Sequence, residues 1–128
     1  MATVHVTQEN FESTLRQGIV MLDFWAGWCG PCRSFAPIFE AASSRHPDIV
    51  FGKVDTEEQP ELAAAFNVQG IPTLAVIRDG VLLMAQAGAL PAAALDEIAE
   101  KARALDMDEV RKAIAEEAKA DGQAEGHA

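Results

Sequence analysis

The hydrophobic residues of the chain fall into short apolar runs that alternate with segments of helical spacing. One run, from Ile19 to Trp25, is apolar at both alternating sets of positions except at Asp23. A strand that is apolar on both faces is typical of the centre of a sheet that helices cover on each side. We therefore predict a buried central strand at 19–25 with a single carboxylate inside it.

Four other segments have the composition and spacing of strands. Lys53 is embedded among the apolar residues of one of them, and Asp79-Gly80 separates two others. Asp-Gly between two apolar runs is a strong signal for a β-hairpin. These predicted strands cover residues 4–6, 49–55, 73–77 and 81–86.

Helical segments lie between the predicted strands. Phe11 and Leu15 stand at i and i+4 behind Thr7, which is a suitable N-cap. The resulting order, βαβαβαββα, is typical of an α/β protein with a central mixed β-sheet flanked by helices on both faces. The other predicted helices cover residues 31–44, residues 60–66 and the segment that Pro91 opens.

The sequence pattern predicts one more helix in the last part of the chain. Asp106-Met107-Asp108-Glu109 has the form of a capping box at a helix start. Beyond Ala120 the chain is mostly Gly, Ala and acidic residues, which favours disorder. We therefore divide the chain into a domain at 1–105 and a C-terminal helical extension with a disordered end at 106–128. A narrow apolar stripe on this helix could dock on the domain or on a partner, or the helix could stay solvated: Met107, Val110 and Ile114.

Length and charge limit the classes of function. A chain of 128 residues corresponds to one compact core. Its net charge of −10 argues against nucleic acid as a partner, since phosphate binding needs a basic surface. No run reaches the roughly 18 apolar residues of a membrane span, and the first residues do not have the pattern of a secretory signal. We expect a soluble, cytoplasmic monomer that binds neither nucleic acid nor membrane.

The only two cysteines, Cys29 and Cys32, are separated by Gly30 and Pro31. The apolar run before them predicts a strand that passes into a helix, with Cys29 near the helix N-terminus. Backbone N–H groups at that end have no intrahelical partner and favour negative charge. They would stabilise a thiolate, which is the form that attacks disulfides. The i, i+3 spacing places the second sulfur on the same helix face.

Three other uses of the cysteine pair compete with redox chemistry. A zinc site needs further ligands, and the histidines are scattered at His5, His46 and His127, so we expect no metal. Inert buried thiols are a second alternative, because free cysteine is often a core residue. A structural disulfide is the third, although so short a loop constrains little of the unfolded chain. Redox exchange is the reading that the pattern favours.

The cysteine pair lies in a motif that can be compared with a known family. Trp25-Ala26-Gly27-Trp28-Cys29-Gly30-Pro31-Cys32, preceded by Asp23 and followed by Gly70-Ile71-Pro72-Thr73, resembles thioredoxin over about residues 4–105. The resemblance implies the thioredoxin fold and a protein-disulfide reductase that maintains redox homeostasis by thiol–disulfide exchange, without a bound cofactor. It also implies disulfide-containing protein substrates, and a flavin-containing thioredoxin reductase that draws on NADPH as the electron donor.

The resemblance assigns catalytic roles around the cysteine pair. Cys29 would attack the substrate disulfide, and Cys32 would then attack Cys29. Asp23 would accept the proton of Cys32, because burial in an apolar strand raises a carboxyl pKa. Lys53 would lie beside Asp23, and a lysine whose stem crosses the core to water is the alternative. Arg33 replaces the usual lysine and keeps a positive charge beside the thiolate.

The resemblance also implies a groove for substrate. A cis peptide before Pro72 would leave the backbone of Ile71 beside Cys29, free to pair with an extended substrate segment. Ala87 stands beside Gly88, where the family often has valine. The implied substrate-binding residues are Trp28, Gly30, Pro31, Ile71, Pro72 and Gly88.

A second function of a different class remains open at this point. The same groove, together with the apolar stripe of the C-terminal helix, would suit a chaperone-like binding module in which the cysteines are secondary. Reduction of a protein disulfide separates the two hypotheses, because only the reductase depends on Cys29.

Overall fold

The computed structural model describes residues 2–126, and the side chains of residues 2–120. Strands and helices alternate in the predicted order, and one more helix follows at the C-terminal end. The strands are β1 (Thr3–His5), β2 (Ile19–Trp25), β3 (Val50–Asp55), β4 (Thr73–Arg78) and β5 (Val81–Ala87). The helices are α1 (Phe11–Leu15), α2 (Gly30–Arg45), α3 (Pro60–Ala65), α4 (Ala92–Ala104) and α5 (Met107–Gly126).

The strands form one mixed sheet in the order β1-β3-β2-β4-β5. β3 pairs in parallel with β1 and β2, whereas β4 is antiparallel to both β2 and β5. β2 therefore lies at the centre, with the same bounds that its apolar run predicts. The hairpin between β4 and β5 is also confirmed, since Asp79 and Gly80 both have the positive φ that a two-residue turn needs.

Each face of the sheet is covered by helices, which confirms the predicted layers. β2 contributes side chains to both cores because successive residues of a strand point to opposite faces. On one face Met21 packs with residues of α2 and α4, and on the other Leu22 and Phe24 pack with residues near α1 and α3. The largest buried side chains of the first core are Met21, Phe35, Phe39, Phe51, Leu74 and Leu95, and those of the second are Val6, Val20, Leu22, Phe24, Val54 and Ile77.

The start of α1 differs from its prediction. Thr7 is not the N-cap, because the helix begins at Phe11 and its N-cap position is Asn10. The side chain of Asn10 accepts a hydrogen bond from the Thr7 N–H at 2.8 Å and donates one to the His5 carbonyl at 2.9 Å. These bonds close a turn over the residues predicted as the first helical turn. The amide of Asn10 thus competes with helix formation there.

α5 is joined to the domain at its first turn. Asp106 accepts hydrogen bonds from the backbone N–H groups of Asp108 and Glu109, at 3.0 and 3.3 Å, as its capping role predicts. Met107 is buried, whereas Ile114 is 45% exposed. The predicted apolar stripe therefore contacts the domain mainly at the N-terminal end of α5. Of the end that was predicted to be disordered, residues 121–126 belong to α5, whereas residues 127 and 128 lie outside the described part of the chain.

Arg78, at the end of β4, holds the junction between α4 and α5. Its guanidinium donates to the carbonyls of Ala102 and Leu105, both at 2.8 Å. These carbonyls lie at the C-terminal end of α4, where they have no intrahelical partner. A charged donor supplies that partner and also favours the negative end of the helix dipole. Nothing in the sequence pattern indicates this role of Arg78.

Gly52 in β3 lies where the backbone packs closely against the side chains of Val6 and Leu22. A Cβ atom at this position would lie 2.6 Å from Cγ2 of Val6 and 2.8 Å from Cδ2 of Leu22. Both neighbours are buried, so they cannot move aside freely. We predict that Gly52→Ala lowers the free energy of unfolding by about 1–3 kcal/mol, measured by urea denaturation.

Gly27→Ala is the matched control, because no described atom lies within 4 Å of the Cβ that it would add. Its effect should stay within about 0.5 kcal/mol. Equal unfolding midpoints for the two variants would contradict the packing argument.

Candidate active site

The N-terminus of α2 holds both cysteines. Cys29 occupies the N-cap position in an extended conformation, and the helix begins at Gly30 with Pro31 in its first turn. Proline is tolerated there because its missing N–H would have no intrahelical partner. The Cys32 N–H donates to the Sγ atom of Cys29 at 3.2 Å. The sulfur of Cys29 thus lies at the positive end of the helix, as its position after the strand predicts.

The two cysteines form a disulfide, with their Cα atoms 5.2 Å apart. The structure therefore represents the oxidised form of the pair. The two residues are almost equally buried, with exposed fractions of 4% for Cys29 and 3% for Cys32. The reason is local packing, since Ala26 and the side chains of Trp25 and Ile71 lie against the pair.

The loop before β4 approaches the disulfide. The peptide bond between Ile71 and Pro72 is cis, as the resemblance implies. The carbonyl oxygen of Ile71 lies 3.6 Å from the Sγ atom of Cys29. On the other side, the Gly88 N–H donates to the Pro72 carbonyl at 2.8 Å. Gly88 has a φ of 108°, a conformation that favours glycine. The fold thus brings four of the predicted site residues together.

Trp28 forms the rim of a groove rather than a cover over the sulfurs, because the residue is 68% exposed. Its indole N–H donates to Glu57 Oε1 at 2.6 Å, which fixes the ring orientation. Nothing in the sequence pattern indicated this role of Glu57, 29 positions along the chain. The groove has a volume of about 210 Å³ and is lined by Trp28, Thr56, Ala63, Val68, Gln69 and Ile71.

Asp23 is fully buried in β2, as its strand predicts. Neither carboxylate oxygen has a hydrogen-bond partner among the described residues. Desolvation therefore raises the pKa of Asp23 to about 6, and the ammonium of Lys53 opposes this shift. Lys53 is the direct cross-strand neighbour of Asp23 in the register of β2 and β3. Asp23 points to the same face as Met21, which is the face that α2 covers.

Lys53 is half-buried in β3. It lies beside Asp23 in the sheet, and its Nζ atom lies 5.1 Å from the ring centroid of Trp25, within cation–π range. Its side chain also lines a cavity of about 250 Å³ next to Cys32. Arg33 lines the same cavity while its guanidinium donates to the Gly27 carbonyl at 2.8 Å. The sequence did not predict this cavity beside the second cysteine.

The described residues contain neither a metal-binding cluster nor a membrane-spanning helix. Residues 2–126 contain no group of three or more His, Cys, Asp or Glu side chains that could hold a metal ion. In the same part of the chain, no helix has the length and apolar character needed to cross a membrane.

A cysteine pair at a helix N-terminus, beside a cis-proline and at the end of a central strand, defines a thiol–disulfide oxidoreductase. Comparison with known proteins identifies the family. The model of the Thioredoxin family matches residues 2–101. The chain is 56% identical over 117 residues to a putative thioredoxin 2 of Streptomyces coelicolor, covering 91% of this chain and 87% of the relative. It is 38% identical over 102 residues to the thioredoxin of Bacillus subtilis, covering 79% and 98%.

Solved structures agree with the sequence relatives. A mutant thioredoxin from Halobacterium salinarum superposes with a TM-score of 0.76 at 30% identity, covering 81% of this chain and 93% of that one. A Plasmodium falciparum thioredoxin gives a TM-score of 0.70 at 35% identity, covering 77% and 97%. The chain therefore belongs to the thioredoxin family. It is a protein-disulfide oxidoreductase that performs thiol–disulfide exchange on disulfide substrates through its Cys29/Cys32 pair.

The similarity to the Streptomyces coelicolor relative continues past the family domain. A match that covers 91% of a chain of 128 residues must reach residue 116 or beyond. It therefore includes at least the first half of α5, whereas the family model ends at residue 101.

The buried carboxyl of Asp23 predicts a pH dependence of stability. Its folded pKa, about 6, lies above the ordinary value of 3.8, so folding favours the protonated form. The stabilisation of the fold that comes from protonated Asp23 is fully present below about pH 4 and is lost as the pH rises through 6. At about 1.4 kcal/mol per pKa unit, the loss approaches 3 kcal/mol. We predict that the free energy of unfolding of Asp23→Asn, relative to that of the unmodified protein, rises by up to that amount from pH 4 to pH 8.

Urea denaturation of the oxidised proteins at a series of pH values measures this difference. Asp108→Asn, on the exposed side of α5, is the control for the loss of one carboxylate. A stability difference for Asp23→Asn that does not change with pH would contradict the raised pKa.

Proposed function

We propose that Cys29 is the attacking residue of a protein-disulfide reductase. The observation that carries this proposal is the hydrogen bond from the Cys32 N–H to the Cys29 sulfur at the N-terminus of α2. A backbone donor and the helix dipole both favour negative charge on that sulfur. In the reduced protein, the Cys29 thiolate attacks a substrate disulfide. A bond forms between Cys29 and one substrate sulfur, and the other substrate sulfur leaves as a thiolate that takes up a proton.

The second step regenerates the disulfide of this chain. Cys32 loses its proton and attacks the sulfur of Cys29, and the remaining substrate sulfur leaves as a thiolate. Two electrons have then passed from the dithiol to the substrate. The proposed acceptor of the Cys32 proton is Asp23, because its pKa of about 6 suits a general base near neutral pH. Lys53 is proposed to tune this pKa from the neighbouring strand.

Substrate is proposed to bind across the groove beside the cysteines. The Ile71 backbone lies next to Cys29 and can pair with an extended segment of substrate. The exposed ring of Trp28 offers an apolar surface on one side of the groove. Pro72 and Gly88, which a backbone hydrogen bond joins, are proposed to contact substrate beyond Ile71. Gly30 and Pro31, between the two cysteines, are proposed to contact substrate as well, and Gly30 has no side chain to obstruct its approach.

The electron donor, location and assembly are also proposals. The oxidised pair must be reduced again, and family membership favours a thioredoxin reductase that uses flavin and NADPH. A dithiol that has to be regenerated works in a reducing compartment, which favours the cytoplasm. The monomeric state expected from the sequence stays a proposal. We place the catalytic domain at 1–105 and treat 106–128 as an extension outside the site.

Reduction of insulin by dithiothreitol tests the proposed attack. We expect the unmodified protein to accelerate the reduction and Cys29→Ser to abolish the acceleration, since the nucleophile is lost. Cys32→Ser should instead accumulate a mixed disulfide with the substrate, detectable by mass spectrometry. An unchanged acceleration by Cys29→Ser would overturn the assignment and favour a binding module in which the cysteines are secondary.

The proposed base is tested by separating the two steps. We predict that Asp23→Asn slows the attack of Cys32 on the mixed disulfide by about 10²-fold, within the range for general-base catalysis, and slows the first attack much less. Stopped-flow fluorescence resolves the two phases. Asp108→Asn should leave both rates unchanged, and equal slowing of both phases by Asp23→Asn would contradict the role.

A further inference from the structure

The outer edge of the sheet near the site is open. β5 is the last strand in the order β1-β3-β2-β4-β5, so only one of its sides pairs with another strand. Residues 85–87 at its C-terminal end are all exposed. The ten residues from Val81 to Leu90 include no charged side chain. Such an edge presents unpaired N–H and C=O groups, which natural proteins often protect with charges or prolines.

The register of β5 identifies which backbone groups face outwards. The Gly88 N–H donates to the Pro72 carbonyl, so Gly88 directs its backbone groups towards β4. Hydrogen bonding in an antiparallel pair alternates from residue to residue. Gln86, opposite Leu74, therefore also bonds to β4. The backbone groups of Ala85 and Ala87 then point away from the sheet, towards the open edge.

A cavity of about 230 Å³ lies beside these two alanines. Ala85 and Ala87 are small, and a Cβ added to Gly70 would lie 3.7 Å from Cβ of Ala87. The absence of larger side chains at these positions keeps the cavity open. Three of its lining residues, Asn67, Gln69 and Thr73, have polar, uncharged side chains, which suit a substrate side chain that can form hydrogen bonds. The lining residues are Phe66, Asn67, Gln69, Gly70, Thr73, Ala85 and Ala87.

The open edge is continuous with the cysteine site. The Cys29 sulfur lies 3.6 Å from the Ile71 carbonyl, and Pro72 is bonded to Gly88, the residue next to Ala87. An extended chain advances about 3.3 Å per residue, so residues close to the attacked cysteine of a bound substrate can reach this edge. A substrate strand held on the edge would also direct the residues opposite Ala85 and Ala87 to the cavity side, since cross-strand neighbours share a face.

We propose that the outward backbone groups of Ala85 and Ala87, on the edge of β5, form a second docking site for the protein substrate. Its occupant is an extended, uncharged segment of the substrate close in sequence to the attacked cysteine, with one polar side chain in the cavity. The inference rests on the proposed attack by Cys29. Pairing over so few residues is weak alone, but the mixed disulfide makes it intramolecular and raises its effective concentration to the millimolar range.

Hydrogen exchange on a trapped complex tests the pairing. Cys32→Ser is joined through Cys29 to a synthetic peptide with one cysteine flanked on each side by five serine, threonine or glutamine residues. We expect amide exchange at Ala85 and Ala87 to slow at least tenfold in the adduct. Met84 and Gln86, which already face β4, should change little. The control adduct carries N-acetylcysteine in place of the peptide and should protect neither alanine.

Unchanged exchange at Ala85 and Ala87 in the peptide adduct would overturn the proposal, and so would equal protection in both adducts. Protection that depends on protein concentration without peptide would also overturn it, since the edge would then pair with a second copy. Failure of Cys32→Ser to form any adduct would be a different result, because it would remove the proposed attack by Cys29 itself.

Kinetics test the cavity with two matched variants. Ala85→Val adds bulk inside the cavity, whereas Gln86→Val adds valine one residue along, on the opposite face of β5. We expect Ala85→Val to lower kcat/KM for insulin reduction three- to tenfold, through KM. Its reduction of 5,5′-dithiobis(2-nitrobenzoic acid), which has no polypeptide, should be unchanged. Gln86→Val should change neither rate. Equal loss by both variants, or an equal loss on both substrates for Ala85→Val, would refute the cavity as a substrate subsite.

Discussion

The chemistry of this protein depends on where α2 begins. β2 is buried on both faces and carries the chain through the core to Trp25. α2 then begins at Gly30, with Cys29 at its N-cap. The first backbone N–H groups of that helix have no partner within the helix, and one of them binds the Cys29 sulfur. The central strand thus fixes the position of the helix dipole, and the dipole favours charge on the sulfur.

A second constraint is the carboxyl of Asp23, which is buried without hydrogen bonds among the described residues. Burial of a polar group without a partner costs free energy, so an apolar residue would suit this central strand better. The same desolvation brings its pKa to about 6, into the range of a general base. Lys53 limits the shift from the adjacent strand. Stability and the proposed proton transfer therefore make opposite demands on the Asp23 side chain.

The sheet separates two regions of the molecule. β4 runs antiparallel to β2, so Thr73 lies near Phe24 at the cysteine end and Arg78 lies opposite Ile19 at the other. Arg78 holds the junction of α4 with α5, so the extension leaves the domain away from the disulfide. The edge of β5, by contrast, meets the site through the bond between Gly88 and Pro72. Substrate contacts can extend along this edge without involving α5.

Local pattern alone was sufficient for the central strand, the hairpin at Asp79-Gly80 and the helix that follows Cys29, because each depends on short-range periodicity and turn chemistry. It failed at Thr7, where the competing side-chain bonds of Asn10 form a turn. Only the tertiary structure determined the nearly equal burial of the two cysteines, the pairing of Trp28 with Glu57 and the cavities beside Cys32 and β5. These features join residues far apart in the chain, and their geometry is set by packing, which a linear pattern does not contain.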